Sequence, residues 1–503
     1  MEAVMSAKYS TIIGCGSRVL WNRIAILEKF VAMNSRSFWV IFKTPYLTLL
    51  FLSLFIYSCQ SDDVDPDPVE EEQIEDPQIA PEDKLPHVFV NTNGGTIVDE
   101  PKIDGEIRIT EEEIETYSGR IGIEIRGASS QMFPKKSYGM ETRDELNEDL
   151  DVALLGLPEE EDWVLYAPYS DKSLMRNILI YDLSRDMNRY ASRSLFVELT
   201  INEVYKGVYV FMEKLKRDAE RIAINKLKDD ENTGEDLTGG YILKIDKLAG
   251  TNLGDGYNDQ NSFTSVYAPP SAGIGQEIHF LYEEPDAEDI TTEQKTYISD
   301  YVSSFESALA SDEFADPILG YSAYIDIESF IDFFILTELS NNVDGYRLST
   351  YMTKDKNGKL EMGPIWDFNL AFGNADYCAG GETNVWAYKF NERCPQDFWL
   401  IPFWWERLLE DPAFVSALKV RYQALRAGEL SDAQIMSRID TYDEKLTSSG
   451  SVDTNFTTWN VLGIYVWPNR FVGNSHDEEV TYFRNWINDR LLWLDTAIEG
   501  LPN

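Results

Sequence analysis

What most limits the fold of this chain is a change of period near residue 290. Before it the apolar residues mostly alternate, and after it they recur every three or four positions. Within residues 88–260 the segments VFVNT, GEIRIT, GRIGIEIRG, KKSYGMET and GGYILKID read as strands. LFVELTINEVYKGVYVFME reads as a hairpin turning near Asn202 and Glu203. One helix interrupts them at roughly residues 172–188, with Asp171 as N-cap and Leu174, Ile178 and Tyr181 on one face. Later, Thr291 and Gln294 offer a capping box, followed by Ile298, Val302, Phe305 and Leu309 at helical spacing. Residues 326–340 form a second, strongly apolar helix, and Val480, Phe483, Ile487, Leu491 and Leu494 mark a closing one. A hairpin lies between them, STYMTKD and KLEMGPIWDF around a turn at 356–358. These patterns predict an α+β chain, with a strand-rich lobe over residues 86–290 and a helical lobe over 291–503.

The first 85 residues have another character. LTLLFLSLFIYS, at 47–58, is too short to span a bilayer comfortably but suits a signal-peptide core, with Arg36 and Lys43 before it. Its end, with Ile56 and Ser58 before Cys59, resembles a bacterial lipobox, so Cys59 is expected to carry a lipid and to begin the mature protein. Residues 1–32 precede any expected n-region, and a start at Met33 would give a signal of ordinary length; the span 1–58 therefore reads as a misassigned leader plus signal peptide. After Cys59 come eleven acids, four prolines and one lysine before Leu85. Such a segment buries too little apolar surface to offset its ordering entropy, so 59–85 reads as an extended, self-repelling tether. Its Ser-Asp-Asp start resembles the acidic export signal of Bacteroidetes surface lipoproteins, which implies an outer-membrane lipoprotein facing outward.

The remaining chain is globular in composition, with 43% apolar residues, 12 Trp and 27 Tyr in the whole sequence. A net charge of −43 excludes nucleic acid and anionic membrane surfaces as partners, because no basic patch offsets the repulsion. His87, His279 and His476 lack metal-ligand spacing and no CxxC exists, which speaks against zinc. With Cys59 lipidated, Cys378 and Cys394 are the natural disulfide pair in an oxidising compartment.

Two acidic loops carry the chemistry. The apolar helix at 326–340 runs out into SNNVDGYRLSTY, which holds Asp344; the hairpin after it leads to Asp367, Phe368 and Asn369. One carboxylate to orient an attacking group and another to hold a metal is what phosphoryl transfer needs. Acidic loops opening from a helical C-lobe beside a strand-rich N-lobe give the two-lobed architecture of an atypical protein-kinase-like fold.

The segments IEIRGASSQMFPKKSYGMETRDE, DWVLYAPYSDKSLMRNILIYDLSRDM, ELTINEVYKGVYVFMEKLKRDAERIAI, TGGYILKIDK, NNVDGYRLSTYMTKD and GPIWDFNLAFGNADYC together resemble the CotH family of spore coat protein H kinases and their relatives. The resemblance implies a secreted or surface kinase that moves a phosphoryl group from ATP, or from another donor where ATP is scarce, to protein Ser or Thr with Mg²⁺, Mn²⁺ or Ca²⁺. It makes Asp344 the catalytic aspartate, which accepts or orients the acceptor hydroxyl proton, and Asp367 the metal ligand, with Asn369 offering an amide beside it. The RGASSQMFPKKSY turn would hold the nucleotide phosphates through Arg126, Ser129, Ser130 and a lysine on the return strand. Alternation favours Lys136 over Lys135 for that role. Glu213 would pair with the nucleotide-facing lysine or mark the hinge. Lys172, Arg176 and Asn177 read equally as cleft residues or as a solvated helix face, and Trp163, Tyr166, Trp366 and Phe368 read as core.

Two positions depart from the protein-kinase pattern. Ser349 stands five residues after Asp344, where an asparagine would hold a second metal, and Asn369 stands where a second carboxylate is found. Both lower second-metal affinity. A metal- and nucleotide-binding pseudokinase scaffold, and a surface adhesion or carbohydrate-handling accessory protein, are the alternative readings.

Overall fold

The alternating segments of the first half close on themselves. In the computed structural model, which describes residues 84–248 and 256–502, seven strands form a barrel. They are β1 (His87–Asn91), β2 (Ile103–Glu111), β3 (Ile114–Arg126), β4 (Ser137–Arg143), β5 (Asp162–Tyr166), β6 (Ser194–Ile201) and β7 (Val204–Glu213), in the order β1-β2-β3-β4-β5-β7-β6. The readings of residues 1–58, of Cys59 and of most of the tether lie outside the described residues.

A mostly antiparallel sheet is the expectation, and all but one of the barrel's pairings are antiparallel. The exception closes it: β1 runs parallel to β6, with Val88 opposite Leu199 and Val90 opposite Ile201. Closure leaves no open sheet edge, which removes the template an edge offers to another chain. Ile107, Ile109, Ile121, Ile123, Trp163 and Phe211 point inward and fill the lumen. The β6–β7 hairpin turns at Asn202 and Glu203, with φ of 49° and 64°, the pair of positive angles that a tight two-residue hairpin requires.

Helix α1 (Arg176–Asp186) lies inside the expected span but begins later. Its N-cap position is Met175, with no side-chain cap hydrogen bond; the expected cap, Asp171, stands upstream, where its Oδ2 accepts the Arg176 N–H at 2.9 Å. Unlike a surface helix, α1 is buried through most of its length, and a solvated face does not describe Lys172, just before it, or Arg176 and Asn177 on it: all three are buried and bonded to other segments.

A second sheet takes strands from both sides of residue 290. It consists of β8 (Tyr241–Ile245), β9 (Ser262–Thr264), β10 (His279–Glu284), β11 (Thr350–Lys354) and β12 (Leu360–Met362), ordered β12-β11-β8-β10-β9. Against it pack α2 (Thr292–Ala310), whose Thr291–Gln294 capping box forms as the sequence implies, and α3 (Ile327–Ser340), capped by Asp326. Every residue of α3 from Ser329 onward is buried, so it is a central strut rather than an amphipathic cover. The helices α4 (Phe390–Arg393), α5 (Trp404–Leu408), α6 (Pro412–Ala427), α7 (Asp432–Ser448), α8 (Ser451–Thr458) and α9 (His476–Glu499) complete the chain. The expected apolar stripe of α9, Val480 to Leu494, is buried. Among the described residues no helix is long and apolar enough to cross a membrane.

The barrel is fixed to the helical part through α8. Asn455 Oδ1 accepts from the Val208 N–H at 3.1 Å and from Lys135 Nζ at 2.9 Å, while Trp459 Nε1 donates to the Lys206 carbonyl.

Candidate active site

The site begins where α3 ends. Asn341 takes the left-handed conformation (φ 43°) that terminates the helix, and its amide holds the carbonyls of Ala379 and Glu382. The chain then turns through Asp344. Its Oδ1 accepts from Arg347 Nη2 at 2.9 Å and from the Tyr377 hydroxyl at 3.4 Å; Oδ2 accepts nothing from the described residues. Arg347 is buried and also reaches Asp397 and the carbonyls of Val343 and Trp399. One oxygen of Asp344 is therefore tethered, and the other is available.

Asp367 sits at φ 62°, beyond the β11–β12 hairpin, in a conformation that a non-glycine residue holds only when its surroundings enforce it. Here α1 enforces it. The Asp367 N–H donates to the Tyr181 hydroxyl at 3.1 Å, the Phe368 N–H to Asn177 Oδ1 at 2.8 Å, and Arg176 Nε to the Ala371 carbonyl at 3.1 Å. The Asp367 carboxylate itself accepts no hydrogen bond from the described residues. Burial, then the charges of Asp344 and Asp246, push its carboxyl up to about 7, against the pull of Lys247 and Arg126.

Those neighbours define the site. Asp246 follows β8, one strand over from β11, so the antiparallel pairing of Ile245 with Thr350 brings it beside the Asp344 loop. Ser349 Oγ donates to Asp246 Oδ2 at 3.3 Å, and burial raises the Asp246 carboxyl. Lys244 pairs with Glu283 at 2.7 Å; burial opposes its charge, but Tyr351, Glu283 and Asp246 together hold it protonated. From the barrel, Arg126 ends β3 and lays its guanidinium over the Trp366 ring at 5.5 Å. Trp366 also stacks on Tyr181, at a centroid distance of 6.1 Å, and is half-buried, packed against the core as the sequence implies.

Three carboxylates coupled by their charges in partly buried space, Asp367 among them without a donor from the described residues, suit a cation. Among the described residues the acids whose ligand atoms all lie within 4.8 Å as a group of three are Asp151, Glu160 and Glu161, and Lys216 already bonds the latter two. Asp246, Asp344 and Asp367 are more widely set. A divalent cation can be held by one or two carboxylates together with phosphate oxygens and water, so a closer set of three acids is not required for one.

Of the residues expected at the site, Asp344, Asp367 and Arg126 come together. Asn369 follows two residues after Asp367, half-buried, with its carbonyl held by Asn374. Ser129 and Ser130 lie in a short 3-10 turn (Ser129–Met132) beyond Arg126, after Gly127, whose φ of 103° and contact with Ser130 Oγ leave no room for a side chain. Lys136 donates its ammonium to the Gln131 carbonyl of its own turn. Lys135 is buried against α8, where desolvation lowers its ammonium to about 7.

Glu213 forms no pair with a lysine. Fully buried at the end of β7, it binds Arg193 Nη1 at 2.5 Å, the Arg193 N–H and the Tyr190 hydroxyl, because β6 begins directly opposite and delivers Arg193 to it.

Sequence reasoning missed Asp246, Lys244, Arg347 and the grip of α1 on the Asp367 loop. The available signal was ILKID, a strand running straight into an acid. The expected disulfide is present: Cys378 and Cys394 are bonded, 16 residues apart with Cα atoms at 5.8 Å.

A sequence model of the CotH kinase protein family matches residues 123–494, a span that takes in both acidic loops, most of the barrel and nearly all of the helical part. No curated protein matches the chain.

Proposed function

Because the chain belongs to the CotH kinase family, we propose that it is a metal-dependent phosphotransferase, moving a phosphoryl group from ATP to a Ser or Thr hydroxyl of a protein acceptor outside the cytoplasm. The observation that carries this is the donor-free Asp367 carboxylate beside Asp344 and Asp246. Asp367 would hold the divalent cation, with Asp246 or the Asn369 amide as second protein ligand. When bound, Mg²⁺ neutralises phosphate charge and fixes the nucleotide's phosphates in place.

The remaining steps fall to the chain itself. Asp344 Oδ2 orients the acceptor hydroxyl and takes its proton, while Arg347 and Tyr377 fix the carboxylate through Oδ1. Arg126, the Ser129–Ser130 turn and Lys247 supply positive charge and donors on the phosphate side, with Lys136 in reach of the same turn. Cys59 anchors the protein to the outer membrane, and the acidic tether holds the domain off its surface.

A second reading, nucleotide binding without transfer, is favoured by Ser349, which is committed to Asp246 where a stronger metal ligand would stand. Calorimetric titration of ATP into the purified chain separates these from the fold-only alternative. Binding that requires Mg²⁺ or Mn²⁺ and is lost in Asp367→Ala is expected. No binding under any metal condition would end both nucleotide readings.

A further inference from the structure

Near Asp344 the structure displays aromatic and aliphatic side chains that the fold does not need for its core. Trp467 is 43% exposed, Tyr465 53% and the aliphatic Ile464 49%. Their backbone is nevertheless tied down: Asp376 N–H donates to the Pro468 carbonyl at 2.8 Å, Arg470 N–H to the Asn374 carbonyl at 2.8 Å, and Lys172 Nζ to the Ile464 carbonyl at 2.7 Å. The rings are thus held out from a braced loop that is stitched to the segment following Asp367. Tyr377 stacks on Trp467 with centroids 6.1 Å apart and planes 6° from parallel, and the same Tyr377 donates its hydroxyl to Asp344. The Tyr465 hydroxyl donates to Asp376 Oδ2 at 2.8 Å, which holds the Tyr465 ring in place. A continuous ledge therefore runs from Asp344 through Tyr377 to Trp467, Tyr465 and solvent.

We infer that this ledge seats the acceptor polypeptide by an aromatic or large aliphatic side chain close in sequence to the phosphorylated hydroxyl. The inference rests on the phosphotransfer proposed for Asp344. An extended chain advances about 3.3–3.6 Å per residue, so a side chain on Trp467 belongs to a residue within roughly four positions of the hydroxyl at Asp344. Asp344, Asp376 and Asp397 border the ledge and disfavour acidic residues in the same stretch. Loss of a well-seated apolar side chain typically costs on the order of tenfold in discrimination.

The test presents degenerate peptide libraries, each with a fixed Ser or Thr, to the full chain with ATP and Mn²⁺, and reads phosphate incorporation by position. Aromatic and large aliphatic residues should be selected about tenfold over Ala within four positions of the hydroxyl. In Trp467→Ala that preference should fall to near unity, in Trp467→Phe it should persist, and in Leu492→Ala, an exposed residue on α9, it should be unchanged. Incorporation without such a preference overturns the ledge and leaves the phosphotransfer standing. Should no peptide be phosphorylated, the phosphotransfer fails, and the same libraries passed over immobilised protein decide the ledge. Enrichment of aromatic peptides by the unmutated chain over Trp467→Ala supports it. Absence of enrichment overturns it.

Discussion

Asp367 sets a competition between a proton and a cation. A carboxyl titrates near 3.9 in the unfolded chain and near 7 here, so between those values the folded protein holds a proton that the unfolded chain has released. In chelator, this group's contribution to stability is therefore favourable at pH 4 and is lost as pH rises toward 7. Asp367→Asn should then stabilise the metal-free protein at pH 8 but not at pH 4, by on the order of 2 kcal/mol once solvent screening of a half-buried group is allowed for. Thermal melts in EDTA at the two pH values check this; equal shifts at both would contradict it. Divalent affinity should run the other way, rising from pH 5 to pH 8. Asp344 and Asp367 were legible in the sequence because each ends a strongly patterned segment, an apolar helix or a hairpin. Asp246 was not, because one acid after one strand is a common surface feature, and only the pairing of β8 with β11 gives it a function. The partner of Glu213 was hidden for the same reason: strand register, not sequence distance, brings Arg193 to it.

At the scale of elements, α1 and α3 position the two loops. Asn177→Ala would leave the Phe368 N–H buried without an acceptor, at a cost of about 1–3 kcal/mol, and should weaken metal-dependent ATP binding although Asn177 touches neither ligand. Denaturant titration and calorimetry on the same variant read both effects; unchanged ATP affinity would mean that α1 does not govern the Asp367 conformation. In α3, Phe334 is wholly buried among Tyr346, Trp386, Tyr388 and Trp405, so Phe334→Ala should cost about 3–5 kcal/mol. The disulfide closes a loop of about the size that contributes roughly 3 kcal/mol on the chain-entropy account. It also fixes Cys378, the residue next to Tyr377, so Cys394→Ser should loosen the ledge as well as lower the melting temperature. The capping box, α3 and the hairpins were readable because their signals are local. The late start of α1 was not, since Met175 takes the N-cap position and Asp171 reaches the Arg176 N–H from several residues upstream.

Across the whole molecule, the least legible feature was closure. Alternation marks each strand and its inward face, but the β1–β6 pairing joins segments about a hundred residues apart, and nothing in either strand states that they meet. The change of period at 290 predicted where helices begin, yet not that β11 and β12 would return to pair with β8. The anchor belongs to this scale too: Cys59→Ala should release the protein from membranes, and an unchanged membrane fraction would contradict lipidation there. The central claim is that Asp344 serves the acceptor hydroxyl while Asp367 serves the metal. Its most direct test is mass spectrometry of phosphoserine and phosphothreonine formed by Asp344→Ala with ATP and Mn²⁺, alongside calorimetry of the same variant. The account predicts that transfer is abolished while metal-dependent ATP binding stays close to that of the unmutated chain. Transfer that survives in Asp344→Ala would contradict it.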